Sequence, residues 1–139
     1  MTINGLLVDD DPMFVRAISL GLSSLGYDLK TCSNGLQAQE ILKNDPSINL
    51  VITDIVMPEV DGLELSQYIR STFCKETKYI IAVSSGASSI DRRSALACAG
   101  LYCDDTMNKP FSKQQLYDIL EKAKEKIGIT TNMHKSVKM

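Results

Sequence analysis

Three features of the chain have the chemistry to handle phosphate and metal: the acidic run Asp9-Asp10-Asp11, a lone Asp54, and the widely separated pair Ser84 and Lys109. Three carboxylates held close together cannot all stay ionised unless a cation or a proton offsets their repulsion. An all-oxygen donor set with no His or Cys favours a hard divalent ion. Mg²⁺ fits best, because it takes one or two carboxylates and keeps waters that a phosphate can share. An Asp carboxylate is also a competent phosphoryl acceptor, and a Lys ammonium with a hydroxyl beside it would stabilise charge on phosphoryl oxygens. Taken singly, each feature has an ordinary explanation. Asp10-Asp11-Pro12 is a common helix start, Met57-Pro58 and Asp61-Gly62 are turn punctuation, Ser84-Ser85-Gly86 is a loop, and Lys109 is a surface charge.

What joins these residues is the pattern of elements that must position them. Short apolar runs of strand length alternate with stretches of helical periodicity, the pattern of repeated βα units. Ile3–Val8 reads as the first strand. Asp11 is the candidate cap of a helix with Pro12 at its first position, and Phe14, Val15, Ile18, Leu22 and Leu25 line one face up to Gly26. Tyr27–Cys32 is a weaker strand, followed by a helix over Leu36–Lys43 with Ser33 or Asn34 as cap. The continuous apolar runs Leu50–Thr53 and Tyr79–Val83 predict strands covered on both faces, as in a parallel sheet. Helices are expected over 62–71, 90–99 and 113–127, a fifth strand over 101–108, and a loose tail over 129–139 after a single domain spanning 1–128. In an open parallel sheet, functional groups collect at the carboxyl ends of the strands. Asp9, Asp10 and Asp11 end the first strand, Asp54 the third, Ser84 and Ser85 the fourth, and Lys109 the fifth, so all converge on one edge.

Composition narrows the class. A chain of 139 residues with 44% hydrophobic and 23% charged content matches an ordinary globular domain rather than a disordered or disulfide-built one. No apolar run approaches the ~20 residues of a membrane-spanning helix, and the amino terminus lacks a basic segment followed by an apolar one, so a cytoplasmic protein is expected. Residues 1–108 carry 8 basic and 14 acidic side chains and residues 109–139 carry 7 and 3, a charge of −6 against +4. This leaves no footprint for nucleic acid over the body, and the Lys-rich end reads as a solvated helix face. Cys32, Cys74, Cys98 and Cys103 form no C-x-x-C pair and read as reduced structural thiols.

The segments Leu6-Leu7-Val8-Asp9-Asp10-Asp11-Pro12, Val51-Ile52-Thr53-Asp54-Ile55-Val56-Met57-Pro58-Glu59-Val60-Asp61-Gly62, Ala82-Val83-Ser84-Ser85 and Asn108-Lys109-Pro110-Phe111 resemble the receiver domains of two-component response regulators. The resemblance spans residues 3–127, with four motifs in order, each at an expected strand end. It implies a flavodoxin-like α/β fold, a (βα)5 doubly wound parallel sheet with strand order 2-1-3-4-5. It also implies that Asp54 is the phosphoacceptor. Asp10 would be a direct Mg²⁺ ligand together with Asp54, Asp9 would act mainly through metal-bound water, and the main-chain carbonyl of Val56 would be a further ligand. Ser84 would donate its hydroxyl to one phosphoryl oxygen and Lys109 would pair with another, aimed by a cis Lys109-Pro110 peptide. The phosphoryl donor would be a histidine kinase or a histidine phosphotransfer protein, as in a phosphorelay. A downstream protein target would read the conformational change, without nucleic-acid binding or membrane insertion. On this reading the chain is a single-domain signalling phosphoacceptor that catalyses its own phosphorylation and dephosphorylation, rather than an enzyme acting on other substrates.

Several positions depart from the family pattern. Thr106 stands where many members carry the Tyr or Phe of a switch shared with the Ser84 hydroxyl, which puts in doubt the usual output face of the fourth helix, fifth strand and fifth helix. Val56 and Gly86 offer no side-chain hydrogen bond where polar groups often influence attacking water. His134 falls in the expected tail and reads as exposed rather than as a donor histidine. A phosphatase of the haloacid-dehalogenase kind would need a second acid at Val56 and a cap domain. Nucleotide or flavin binding would need a phosphate loop, yet Gly21-Leu22-Ser23-Ser24-Leu25-Gly26 is followed by Tyr27-Asp28 rather than Lys-Ser/Thr and closes a helix.

Overall fold

The computed structural model describes residues 3–55, 62–74, 77–85, 102–109 and 111–138, with Ser85 and 129–138 as backbone only. The expected helix over 90–99, Val56, Gly86, Cys98 and the Lys109-Pro110 peptide lie outside the described residues or depend on residues that do. Five strands, β1 (Asn4–Val8), β2 (Asp28–Cys32), β3 (Leu50–Asp54), β4 (Tyr79–Ser85) and β5 (Asp105–Lys109), form one parallel sheet in the order β2-β1-β3-β4-β5. This is the flavodoxin-like arrangement. Helices α1 (Pro12–Ser24), α2 (Gly35–Asn44) and α3 (Gly62–Thr72) and a C-terminal helix (Lys113–Lys138) complete the described elements.

The period-2 alternation of the strands sorts the core into two layers. Leu7, Ile52, Ile81 and Met107 face Ile18 and Leu22 of α1 and Leu116, Leu120, Ala123 and Ile127 of the C-terminal helix. Leu6, Val8, Val51 and Ile80 face Ala38 and Leu42 of α2 and Leu65 and Ile69 of α3. All five residues of β3 are buried, as its continuous apolar run predicts, whereas the edge strand β2 has none. Tyr79 opens β4, and its phenol is pushed up to about 12 by burial first and by Asp105 and Asp104 after it. A raised folded-state value means that its stabilising contribution is intact below the ordinary 10.0 and is lost as pH rises through about 12. Tyr79→Phe is expected to flatten the alkaline loss of stability over that window, read from urea melts on either side of it.

Three boundaries differ from the sequence reading. Leu25 is the C-cap of α1 and is exposed rather than part of its core face, with Gly26 following at φ 85. The fifth strand starts at Asp105, not at 101. The Asp104 carboxylate accepts the Ile80 N–H at 2.8 Å and pairs with Arg70 at 2.6 Å, so a side chain occupies what would be a ladder position. The last helix does not end at Gly128 but continues as backbone to Lys138. No proline follows, and an interior Gly costs only about 1 kcal/mol relative to Ala.

Candidate functional site

The carboxyl ends of the strands bring the separated residues together. Of the three consecutive aspartates, two turn to the site and one to the helix. Asp11 caps α1, its Oδ1 accepting from the Met13 N–H at 3.1 Å and the Phe14 N–H at 3.5 Å. Asp9 (2% exposed) and Asp54 (4%) are buried while Asp10 is exposed, and one carboxylate oxygen from each lies within 4.8 Å of the others. This is an all-oxygen, three-carboxylate set without His or Cys, the donor chemistry suited to a hard divalent cation.

Lys109, at the end of β5, closes the group from the far side of the sheet. Its Nζ donates to Asp9 Oδ2 at 2.7 Å and stands 4.0 Å from Asp54 Oδ2. The other Asp9 oxygen accepts the Asp11 N–H at 2.9 Å, so this buried carboxylate is satisfied on both sides. Ser84 is buried on β4, one residue beyond Val83, the register partner of Asp54, and is itself paired in register with Asn108. Thus Asp9, Asp10, Asp54, Ser84 and Lys109 all lie at one edge of the sheet. Thr106 lies apart, on the wall of a cavity of about 370 Å³ between β5 and the C-terminal helix, shared with Met107, Phe111 and Ile119.

Two residues matter to this site in ways their local sequence did not reveal. Gly62 begins α3 and donates its N–H to the Ile55 carbonyl at 2.8 Å. A Cβ on it would collide with the carbonyl oxygen of Asp54 and come within 2.8 Å of the Ile55 Cα. The helix therefore closes directly onto the backbone that carries Asp54, and Gly62 is more than turn punctuation. A glycine opening a helix eight residues after the key aspartate was the available signal. Phe14, which the sequence placed in the core face of α1, packs there only in part and also meets Lys109.

Other reactive groups are set aside by their surroundings. The thiol of Cys32 is pushed up to about 11 and that of Cys103 also upward, in both cases chiefly by burial, which disfavours the reactive thiolate. The stretch 21–26 closes α1, so it is no phosphate loop. No helix among the described residues is long and apolar enough to cross a membrane.

Comparison with known proteins agrees with this geometry. The family model of the response regulator receiver domain matches residues 6–121. The response regulator MprA of Mycobacterium ulcerans is 34% identical over 116 residues, covering 84% of this chain and 47% of that protein. The two-component response regulator ARR22 of Arabidopsis thaliana is 31% identical, covering 85% and 81%. Among solved structures, a CheY-like receiver domain protein from Methanospirillum hungatei superposes with a TM-score of 0.71 at 26% identity, covering 93% of this chain and 97% of that one. The chain spans about half the length of several curated relatives it matches. With the five-stranded order, the acidic cluster and the match over 6–121 in agreement, the chain belongs to the response regulator receiver domain family.

Proposed function

We propose that this chain accepts a phosphoryl group on Asp54 from a histidine kinase or histidine phosphotransfer protein in a Mg²⁺-dependent reaction, and signals by the conformational change that follows. The observation that carries the reading is the convergence of Asp9, Asp10 and Asp54 within 4.8 Å, with the Lys109 ammonium between Asp9 and Asp54. Asp10 and Asp54 would hold the ion directly, Asp9 mainly through water, with the main-chain carbonyl of Val56 as a further ligand. When bound, Mg²⁺ supplies positive charge that offsets the carboxylates and the incoming phosphoryl oxygens.

The chain's own residues do the rest. An Asp54 carboxylate oxygen bonds to phosphorus as the phosphorus–nitrogen bond of the phosphohistidine breaks, and the departing imidazole nitrogen keeps the electron pair and takes up a proton. Lys109 and the Ser84 hydroxyl donate to the phosphoryl oxygens, which draws both toward Asp54. Hydrolysis of the acyl phosphate at the same site returns the chain to its starting state. The fold and the intact cluster support a regulatory phosphoacceptor over a phosphatase. Acetyl phosphate with Mg²⁺ should add one phosphoryl group, seen by intact-mass spectrometry and lost when the metal is chelated. A chain that stays unmodified would reject the proposal.

Asp10→Ala is expected to weaken Mg²⁺ binding by at least about tenfold, since loss of even an outer-shell partner of a metal site costs that much. The fold should survive, because Asp10 is exposed and its removal relieves repulsion among the three acids. Calorimetric titration beside a thermal melt separates the two effects, and an undiminished affinity would remove Asp10 from the ligand set.

Thr106→Tyr is expected to alter target binding more than phosphorylation. Residue 106 borders the cavity between β5 and the C-terminal helix, where a ring can pack differently in two states while Thr offers little difference. The acetyl phosphate rate should stay within about threefold, while the ratio of target affinities with and without phosphorylation changes by about 5-fold or more, the lower end of typical coupling. A large rate loss at constant affinities would place this side chain in the chemical site instead.

A further inference from the structure

Phe14 lies in the first turn of α1, and the Lys109 ammonium sits over its ring, with Nζ 3.8 Å from the centroid. Phe111 meets the same ring edge-on, the centroids 5.9 Å apart and the planes at 89°, which sets its tilt. Lys109 thus has anchors of two kinds: carboxylates, Asp9 at 2.7 Å and Asp54 at 4.0 Å, and an aromatic face. The distinction matters because Asp9 also belongs to the carboxylate cluster. A divalent cation entering that cluster draws on the same Asp9 charge that holds Lys109. The ring is not shared in this way. Its quadrupole attracts the ammonium, while a hard ion that seeks oxygen ligands finds nothing on it.

We propose that Phe14 is a positioning residue for Lys109: its ring keeps the ammonium at the site when a divalent cation engages Asp9, so that Lys109 remains available to a phosphoryl group on Asp54. This rests on the phosphoacceptor reading and adds to it an α1 residue that touches neither metal nor phosphate. Leu or Met at position 14 would fill similar space without a π face, whereas Tyr would keep one.

Two measurements test it. Ring current should move the Lys109 ε-methylene protons upfield in NMR spectra. That displacement should persist through Mg²⁺ saturation, remain in Phe14→Tyr and vanish in Phe14→Leu. Its loss on adding Mg²⁺ overturns the proposal whatever the phosphorylation chemistry does. The second measurement is affinity for beryllofluoride, a stable phosphoryl mimic, at saturating Mg²⁺. Phe14→Leu should weaken it roughly three- to tenfold, the range of a partly desolvated cation–π contact. Phe14→Tyr should restore it, and in a Lys109→Ala background Phe14→Leu should change nothing further. Phe14→Met replaces Leu if thermal melting shows the Leu variant unfolded. An undiminished Phe14 effect without Lys109, or an intact wild-type affinity that Phe14→Leu leaves alone, overturns the role of Phe14 only. A wild-type chain with no beryllofluoride affinity instead overturns the phosphoacceptor reading and this role with it.

Discussion

Asp54→Asn is expected to abolish phosphorylation by acetyl phosphate, with a rate loss of at least about 10³-fold, while the protein stays folded. Removing a nucleophile from an otherwise intact site costs at least that much. The amide is nearly the same shape as the carboxylate but cannot form the acyl phosphate bond. The fold should tolerate the change because one of three negative charges gathered within 4.8 Å is removed, and the ion pair of Asp9 with Lys109 at 2.7 Å remains. Intact mass after incubation with acetyl phosphate and Mg²⁺, beside a thermal melt, decides the matter. Equal modification of the Asn variant would move the acceptor elsewhere in the chain.

Gly62→Ala is expected to destabilise the domain by about 3 kcal/mol, at the upper end of overpacking costs, and to slow phosphorylation as well. The added methyl would meet the Asp54 carbonyl oxygen and approach the Asp54 carbonyl carbon to 2.9 Å, and these are backbone atoms of the buried strand β3. Relief requires α3 or the end of β3 to move, and displacements of ~1 Å can cost ~10²-fold in rate. Gly21→Ala is the control. Nothing lies within 4 Å of a Cβ at Gly21, which sits inside α1, so the same substitution there should stabilise through helix propensity. Urea denaturation of both variants, with acetyl phosphate rates, gives the comparison, and a neutral Gly62→Ala would show that this close approach yields without cost.

How far the sequence reaches can be judged element by element. Continuous apolar runs identify β3 and β4 as buried strands because both of their faces must be covered, and the rule that ligands gather at strand ends then groups Asp9, Asp10, Asp54, Ser84 and Lys109 without coordinates. Asp11 as the cap of α1 is equally local, and so is the choice between Ser33 and Asn34 for α2, which falls to Asn34; each capping side chain satisfies an N–H within three residues. The start of β5 was not legible. Asp104 ends the ladder by bonding Ile80 and Arg70, partners 24 and 34 residues away that no window of sequence contains.

The same division runs through the site. Side-chain types and strand-end positions, both local properties, sufficed to propose a carboxylate cluster with a nucleophile and a cation. Tertiary structure alone decided that Asp9 is buried against Lys109 while Asp10 stays exposed, that Gly62 must lack a side chain because α3 closes on Asp54, and that Phe14 carries the Lys109 ammonium on its ring. Each of these depends on how closely one element approaches another, and such distances are set by how layers of helix and sheet pack. Periodicity reports which face of an element is apolar, but not which atoms of another element will meet it.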